Sequence, residues 1–183
     1  MPRIEAGYAL IETLVAAAIV VSLAAGVAQV ALLTSAAVQA SGAQGRALFL
    51  AVQKIEQLQS LAWTYDGALQ PVSDNATSVA VDPPASGGRG LQPSGPLTGP
   101  GSGPGYVDYL DRDGRWIGTG AQPPAGTAFV RRWSVSPVNA PSGDALLLQA
   151  LVVATGVRGP PSTVALRPND PGVTWLATVR VRH

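Results

Sequence analysis

The sequence predicts an α+β fold in which one long N-terminal helix packs on a small antiparallel sheet. Three observations lead to this prediction. The stretch 3–70 contains no proline, and it is apolar in its first half and amphipathic in its second half. Short runs rich in β-branched and aromatic residues follow in 106–183. An Asp-Gly pair between two of these runs indicates an antiparallel hairpin.

Composition and charge exclude several classes of function. The chain has 183 residues, no cysteine and a formal net charge of +1, and its single histidine is His183. Without cysteine or a second histidine, common zinc sites and serine–histidine catalytic groups cannot be assembled. The 12 basic residues form no run that could neutralise a series of phosphates, so no nucleic-acid partner is predicted. Phosphate-loop and dinucleotide motifs are absent from the sequence, and no cofactor and no enzymatic activity are predicted.

The first segment is long enough and apolar enough to cross a bilayer. Residues 13–45 carry no ionisable side chain, and about 20 apolar residues suffice for a membrane-spanning helix. Arg3 precedes the segment and no basic residue follows it until Arg46, so the positive-inside rule places the C-terminal part outside the cytoplasm. A secretory signal peptide fits less well because its apolar region spans only about 7–15 residues. Residues 38–40 nevertheless have the composition of a signal-peptidase site.

A simple membrane anchor does not explain Glu12, which lies at the start of the apolar segment. A carboxylate at the bilayer centre costs about 2.5–3.5 kcal/mol on insertion scales, and less near the interface. Ionisable residues in such segments are usually functional and have a partner. Glu12 is therefore a candidate functional residue.

Residues 7–16, Gly-Tyr-Ala-Leu-Ile-Glu-Thr-Leu-Val-Ala, resemble the type IV prepilin signature. That signature is a short leader ending in Gly, an aromatic residue, a few apolar residues, a Glu and a long apolar helix; Tyr8 stands where Phe is usual. The resemblance implies a pilin-like fold, cleavage by a prepilin peptidase between Gly7 and Tyr8, and methylation of the new α-amine on Tyr8. It also implies that Glu12 pairs with the N-terminal amine of a neighbouring subunit and sets the register between subunits.

The second half of the helix is expected to continue to about Ala62 as an amphipathic segment. Apolar residues at three- or four-residue steps predict the face that packs on the globular domain. They are Leu48, Val52, Ile55, Leu58 and Ala62. The polar surface is expected at Arg46, Gln53, Lys54, Glu56, Gln57 and Gln59. The stretch 47–58 resembles the same half of this helix in minor pilins of the PilV kind and in minor pseudopilins of type II secretion.

Five segments are thus expected along the chain. They are a leader at 1–7, the transmembrane and assembly half of the helix at 8–45, its amphipathic half at 46–65, a Gly/Pro-rich loop region at 66–105 and an antiparallel β-rich part at 106–183. Pro71 enforces the end of the helical pattern. Within 86–105, 12 of the 20 residues are Gly or Pro, a composition that favours a flexible insertion over packing.

The β-rich part is predicted from residue patterns in four places. Segments 106–110 and 115–117 flank the turn 111–114, and 127–137 carries alternating apolar residues. Segment 145–154 is a continuous apolar run, either a buried strand or a short helix, and its length and turn-rich flanks favour a strand. Segment 174–182 alternates in polarity and predicts a half-buried strand. Its apolar face consists of Trp175, Ala177, Val179 and Val181.

Two clusters in the β-rich part are candidates for binding. Asp108, Asp111 and Asp113 form a candidate calcium site because calcium prefers carboxylate oxygens. The spacing lacks the later Glu of an EF-hand loop and arginines lie among the acids, so a turn is the favoured interpretation. Arg131–Arg132 beside Trp133 is a candidate cation–π or partner-binding patch. A solvated strand edge is the alternative interpretation.

The sequence therefore predicts a minor pilin or pseudopilin. Its expected partners are a prepilin peptidase, other pilin or pseudopilin subunits and the bacterial inner membrane, with the C-terminal domain extracytoplasmic. A pilus, a type II secretion pseudopilus and a DNA-uptake pilus all suit this architecture. The alternative is a single-span membrane-anchored or secreted extracytoplasmic binding module that does not assemble into a fibre.

Overall fold

The computed structural model describes residues 5–95, 97, 105–138, 144–155 and 172–182, and the backbone alone for residues 5–9. It confirms the α+β fold: one long helix comes first and nine strands follow within the described ranges. The elements are α1 (Glu5–Ser60), β1 (Trp63–Tyr65), β2 (Pro71–Ser73), β3 (Thr77–Ser78), β4 (Ala85–Ser86), β5 (Val107–Leu110), β6 (Trp116–Gly118), β7 (Phe129–Pro137), β8 (Ala145–Ala154) and β9 (Val173–Val181).

The strands form one main sheet and two small hairpins. The main sheet has the order β6-β5-β7-β8-β9, and every neighbouring pair is antiparallel. β1 pairs with β2 and β3 pairs with β4, also antiparallel. The predicted turn joins β5 to β6: the Asp111 N–H donates to the Arg115 carbonyl oxygen at 2.9 Å. Gly114 closes this turn at φ +81°, a conformation that L side chains rarely adopt.

The chain divides into two compact units, Met1–Gly42 and Ala43–His183. The described part of the first unit is helical throughout and belongs to α1, which begins at Glu5, inside the predicted leader. In the second unit, the last part of α1 packs on one face of the main sheet and contributes to a shared hydrophobic core. The helix ends at Ser60, close to the predicted end near Ala62.

The packed face of α1 differs from the predicted one. Ile55 and Leu58 are buried as expected, but Leu48 is 48% exposed and Ala62 is also exposed. The buried positions are Ala47, Leu50, Ala51, Lys54, Ile55 and Leu58 on the helix and Leu61 directly after it. Apolar residues at 47, 50, 51 and 61 give the segment a second, overlapping stripe, and the sheet covers that stripe instead. The prediction that Lys54 belongs to the polar surface is wrong.

The last strand turns its apolar face away from α1. Register pairs Arg180 with Leu146, a core residue beneath the helix, so Arg180 lies on the helix side. Val179 and Val181 point the other way and are 58% and 55% exposed. The physical reason is that the last carbonyls of a helix have no partner within it. Arg180 Nη1 donates to the Leu58 carbonyl oxygen at 3.2 Å and supplies such a partner.

The described part of the Gly/Pro-rich segment packs on the domain, contrary to the expected flexible insertion. Leu91 and Leu97 are each 2% exposed. The Ser94 N–H donates to the Val135 carbonyl oxygen at 2.9 Å, and the Val135 N–H donates to Ser94 Oγ at 3.0 Å. Composition predicted flexibility, but buried leucines and backbone hydrogen bonds hold the described part of this segment in place. Residues 96 and 98–104 lie outside the described residues.

Candidate functional site

The predicted processing and assembly residues all lie on α1. Gly7 and Tyr8 belong to its first turns, and the positions of their side chains lie outside the described residues. Glu12 is exposed, and no cation of the described part of the chain forms an ion pair with it. Its carboxylate thus stands on the surface of an apolar helix, available to a group from outside the chain.

The helix around Glu12 exposes its apolar side chains on every side. Large hydrophobic residues from Leu10 to Val38 are between 50% and 72% exposed. The helix is long and apolar enough to cross a membrane, with a mean hydropathy of 2.3 over its most apolar window. Ser22 Oγ and Thr34 Oγ1 donate to carbonyl oxygens of the preceding turn, each at 2.8 Å. These hydroxyls are thereby satisfied inside the helix, as a lipid or protein-core environment requires.

One shallow groove on this helix is suited to close helix packing. It has a volume of about 480 Å³ and is lined by Ser22, Leu23, Gly26, Val27, Val30 and Ala31. A Cβ at Gly26 would meet nothing within 4 Å, so the groove is open at that residue. Small residues four apart, as at 22 and 26, let two helix backbones approach each other in membranes.

A buried charge cluster joins α1 to the sheet in the second unit. Lys54 Nζ lies 2.9 Å from Asp108 Oδ2, and both side chains are 1% exposed. Arg131 binds the same carboxylate through two parallel hydrogen bonds of 2.9 Å, from Nε and Nη2. Lys54 also donates to the Val79 carbonyl oxygen at 2.6 Å and to Gln57 Oε1 at 2.7 Å. The cluster therefore ties α1, β5, β7 and the segment before β4 together.

The electrostatics of this cluster are set by burial and by one carboxylate shared between two cations. Lys54 lies well after the apolar half of α1, inside the globular unit, and burial lowers its pKa to about 8, while the nearby Asp108 opposes that shift. The Lys54 ammonium also lies 4.2 Å from the centre of the Trp133 ring, a cation–π contact. An adjoining cavity of about 160 Å³ is lined by Gln53, Lys54, Gln57, Val81, Asp82, Asp108, Leu110, Gly114 and Arg131.

The geometry of the cluster favours a structural role. All three donors of the Lys54 ammonium have protein acceptors, and Arg131 Nη1 donates to the Leu50 carbonyl oxygen and to Gln53 Oε1. Sequence reasoning missed the pairing because Lys54 and Asp108 are far apart in the chain. A signal was present in the sequence: Lys54 is the only lysine, and it lies four positions after Leu50 and four before Leu58, on the stripe of apolar residues.

The structure separates the three carboxylates of the candidate calcium site. Asp108 points into the buried charge cluster, whereas Asp111 Oδ1 accepts the backbone N–H groups of Asp113 and Arg115, each at 2.9 Å. No three Asp, Glu, His or Cys side chains of the described residues converge to hold a metal ion. The turn interpretation accounts for Asp111.

The fold also separates the residues of the candidate arginine patch. Arg131 is 5% exposed and lies on β7, the central strand of the main sheet, so the interpretation as a solvated strand edge is wrong. The cation over Trp133 is Lys54, not either arginine. Arg132 points to the opposite face of the sheet, where burial lowers its pKa.

Comparisons with known proteins identified no relative of this chain. No protein family, no curated protein and no solved structure matches this chain.

Proposed function

We propose that the chain is a pilin-like subunit, a minor pilin or pseudopilin, which a prepilin peptidase processes and which assembles through its N-terminal helix. One observation carries the proposal: the Gly7-Tyr8 and Glu12 signature begins a helix whose large hydrophobic residues from 10 to 38 are all exposed. Such a surface is stable in lipid or against other apolar helices, and not in water. The α+β domain that follows is compatible with this role.

Glu12 supplies the specificity in this proposal. A charge buried without a partner costs several kcal/mol, and an opposite charge at hydrogen-bond distance offsets that cost. Cleavage after Gly7 would leave an amine on Tyr8, four positions before Glu12. When the apolar helices of two subunits pack together, the amine of one subunit and the Glu12 carboxylate of the other can pair. Only one axial offset between subunits satisfies both charges.

Before assembly, the subunit is proposed to reside in the bacterial inner membrane. The uncharged segment 13–45 would cross the bilayer, and Arg3 would stay on the cytoplasmic side. The unit Ala43–His183 would then be extracytoplasmic. The absence of cysteine means that this unit folds without disulfide formation, whatever the redox state outside the cytoplasm.

A second candidate function is a membrane-anchored or secreted binding module that does not assemble. The observation that favours it is Val38-Gln39-Ala40, which has the small residues of a signal-peptidase site. The two functions differ in the mature N-terminus. Processing as a prepilin gives Tyr8, signal-peptidase cleavage gives Ser41, and an uncleaved anchor keeps Met1.

Mass spectrometry of the intact chain from a host with a prepilin peptidase tests the proposed function. We expect a mature chain that begins with N-methylated Tyr8, and we expect Gly7→Leu to leave the leader attached because the resemblance requires a small residue before the cut. Ala6→Leu, at the neighbouring leader position, is the matched control and should be processed. A wild-type chain that begins at Met1 or Ser41 would refute the pilin role.

A further inference from the structure

The hairpin formed by β1 and β2 presents a leucine from a strained turn. Leu69 has φ +57°, a conformation in which glycine is favoured, and its side chain is 79% exposed. The turn is held by Asp66, whose Oδ1 accepts the N–H groups of Ala68 at 2.9 Å and Gln70 at 2.8 Å. Both the backbone conformation and the exposed apolar side chain are unfavourable in an isolated domain. Strain of this kind points to a function for the side chain.

A groove of matching character lies elsewhere on the same unit. It has a volume of about 260 Å³, which admits a branched aliphatic side chain, and Phe49, Leu50 and Phe129 provide its apolar lining. Phe49 is 68% exposed although it is aromatic. Gly45 and Gly114 line the same groove and leave it open. We call it the Phe49 groove.

Charges around the two features are complementary. Arg46 lines the Phe49 groove, and the turn that borders it carries the exposed Arg112 and Arg115 and the acids Asp111 and Asp113, so three cations stand against two acids. The hairpin tip carries one charge, the exposed Asp66. The apolar groove thus has a net positive rim, whereas the apolar side chain of Leu69 stands on a net negative tip. Opposite potentials of this kind select partners and their orientation.

The two features lie apart along the helix. Phe49 precedes the helix end at Ser60 by 11 residues, and the hairpin begins only after that end. Eleven helical residues span roughly 16 Å. When two different patches of one surface bind each other, the contact is heterologous and repeats from copy to copy without closing.

We propose that Leu69 of one copy docks into the Phe49 groove of the next copy. The contact links Ala43–His183 units head to tail, and it rests on the proposed function because it adds a second point of attachment to the assembled helices. Asp66 both fixes the turn and faces the Arg46 rim of the neighbouring copy. The partner is thus a second copy of this chain.

Cross-linking of single-cysteine variants tests this contact, since the natural chain has no cysteine. Full-length Leu69→Cys and Phe49→Cys chains with different tags are expressed together, and membranes are treated with a short bismaleimide. We expect a covalent dimer that carries both tags. Leu48→Cys is the matched control: it is also exposed, but it does not line the groove. Its yield with Leu69→Cys should be severalfold lower, because a cysteine at position 48 lies outside the groove that position 69 enters.

Equal yields at positions 48 and 49, or no dimer at either, would overturn the contact. Leu69→Gly gives an independent check, because it removes the side chain and suits the observed φ. We expect it to unfold at the same or a higher temperature than the natural chain, while self-association in detergent weakens about tenfold; unchanged association contradicts the proposal.

The N-terminal mass is measured on the same samples. A methylated Tyr8 without the dimer refutes the contact alone, whereas the dimer on an unprocessed chain supports the contact and refutes the pilin role.

Discussion

Lys54 shows how one residue can reverse a surface assignment. The side chain is 1% exposed, and its ammonium contacts a carboxylate, a carbonyl oxygen and an amide oxygen inside the protein. Burying an ammonium without partners costs several kcal/mol, but the hydrogen bond to each of these acceptors offsets part of that free energy. The balance depends chiefly on Asp108, which serves both Lys54 and Arg131.

Substitutions in the buried charge cluster should differ strongly in their effects. Asp108→Asn leaves two buried cations without a counter-charge and should lower the free energy of unfolding by about 3–5 kcal/mol. Lys54→Met keeps the volume and leaves Arg131 and Asp108 as a neutral pair, so its cost should stay below about 2 kcal/mol. Urea denaturation of the two variants measures both values. If Lys54→Met costs as much as Asp108→Asn or more, the shared-carboxylate explanation is wrong.

At the scale of elements, α1 carries two different surfaces in one helix. Its first half exposes apolar side chains all round, and its second half buries one stripe against β5, β7 and β8. The helix end is held by β9, whose Arg180 donates to Leu58. Arg182 follows two residues after Arg180, directly beyond β9. It donates to the Thr64 and Val72 carbonyl oxygens at 3.0 and 2.8 Å and so anchors the β1–β2 hairpin.

The first half of α1 offers a test of assembly at the level of the element. Glu12→Val should leave processing intact, because the change lies beyond the cleavage site, but should reduce recovery in sheared surface filaments by about tenfold or more, the effect of losing one buried charge pair. Glu5→Val is the matched control, since the proposed cleavage removes residue 5. Immunoblots of filament and membrane fractions measure the distribution. Normal incorporation of Glu12→Val would show that Glu12 does not set the register.

At the scale of the whole molecule, the two units expose different kinds of surface. The unit Met1–Gly42 exposes apolar side chains throughout its described part, whereas Ala43–His183 contains a hydrophobic core and the buried charge cluster. The contacts that define the fold of the second unit are thus internal to it. This separation suits a subunit that moves from a bilayer into a filament while its domain stays folded.

A fragment of residues 43–183 should therefore fold without detergent. All four tryptophans lie in this fragment, so near-ultraviolet circular dichroism reports on its core. We expect a soluble fragment with a cooperative thermal transition, because the helix stripe and the sheet remain together. The full-length chain is the comparison and should require detergent. Aggregation of the fragment, or a flat near-ultraviolet spectrum, would contradict the independence of the second unit.

The residue pattern by itself was enough to predict where the apolar helix, the strands β5 to β9 and the turn between β5 and β6 lie in the chain. These features depend on composition and on the spacing of neighbouring residues, which the sequence displays directly. The same is true of the signature formed by Gly7, Tyr8 and Glu12. Its role in processing and assembly stays a prediction.

Only the tertiary structure decided which stripe of α1 is buried, where Lys54 points and which face of β9 meets the helix. Each outcome depends on a partner distant in the chain: Asp108 for Lys54, and the Leu58 carbonyl oxygen for Arg180. A buried charge or an unpaired helix carbonyl is stabilised only by a specific donor or acceptor, and local hydrophobicity does not record where that group lies.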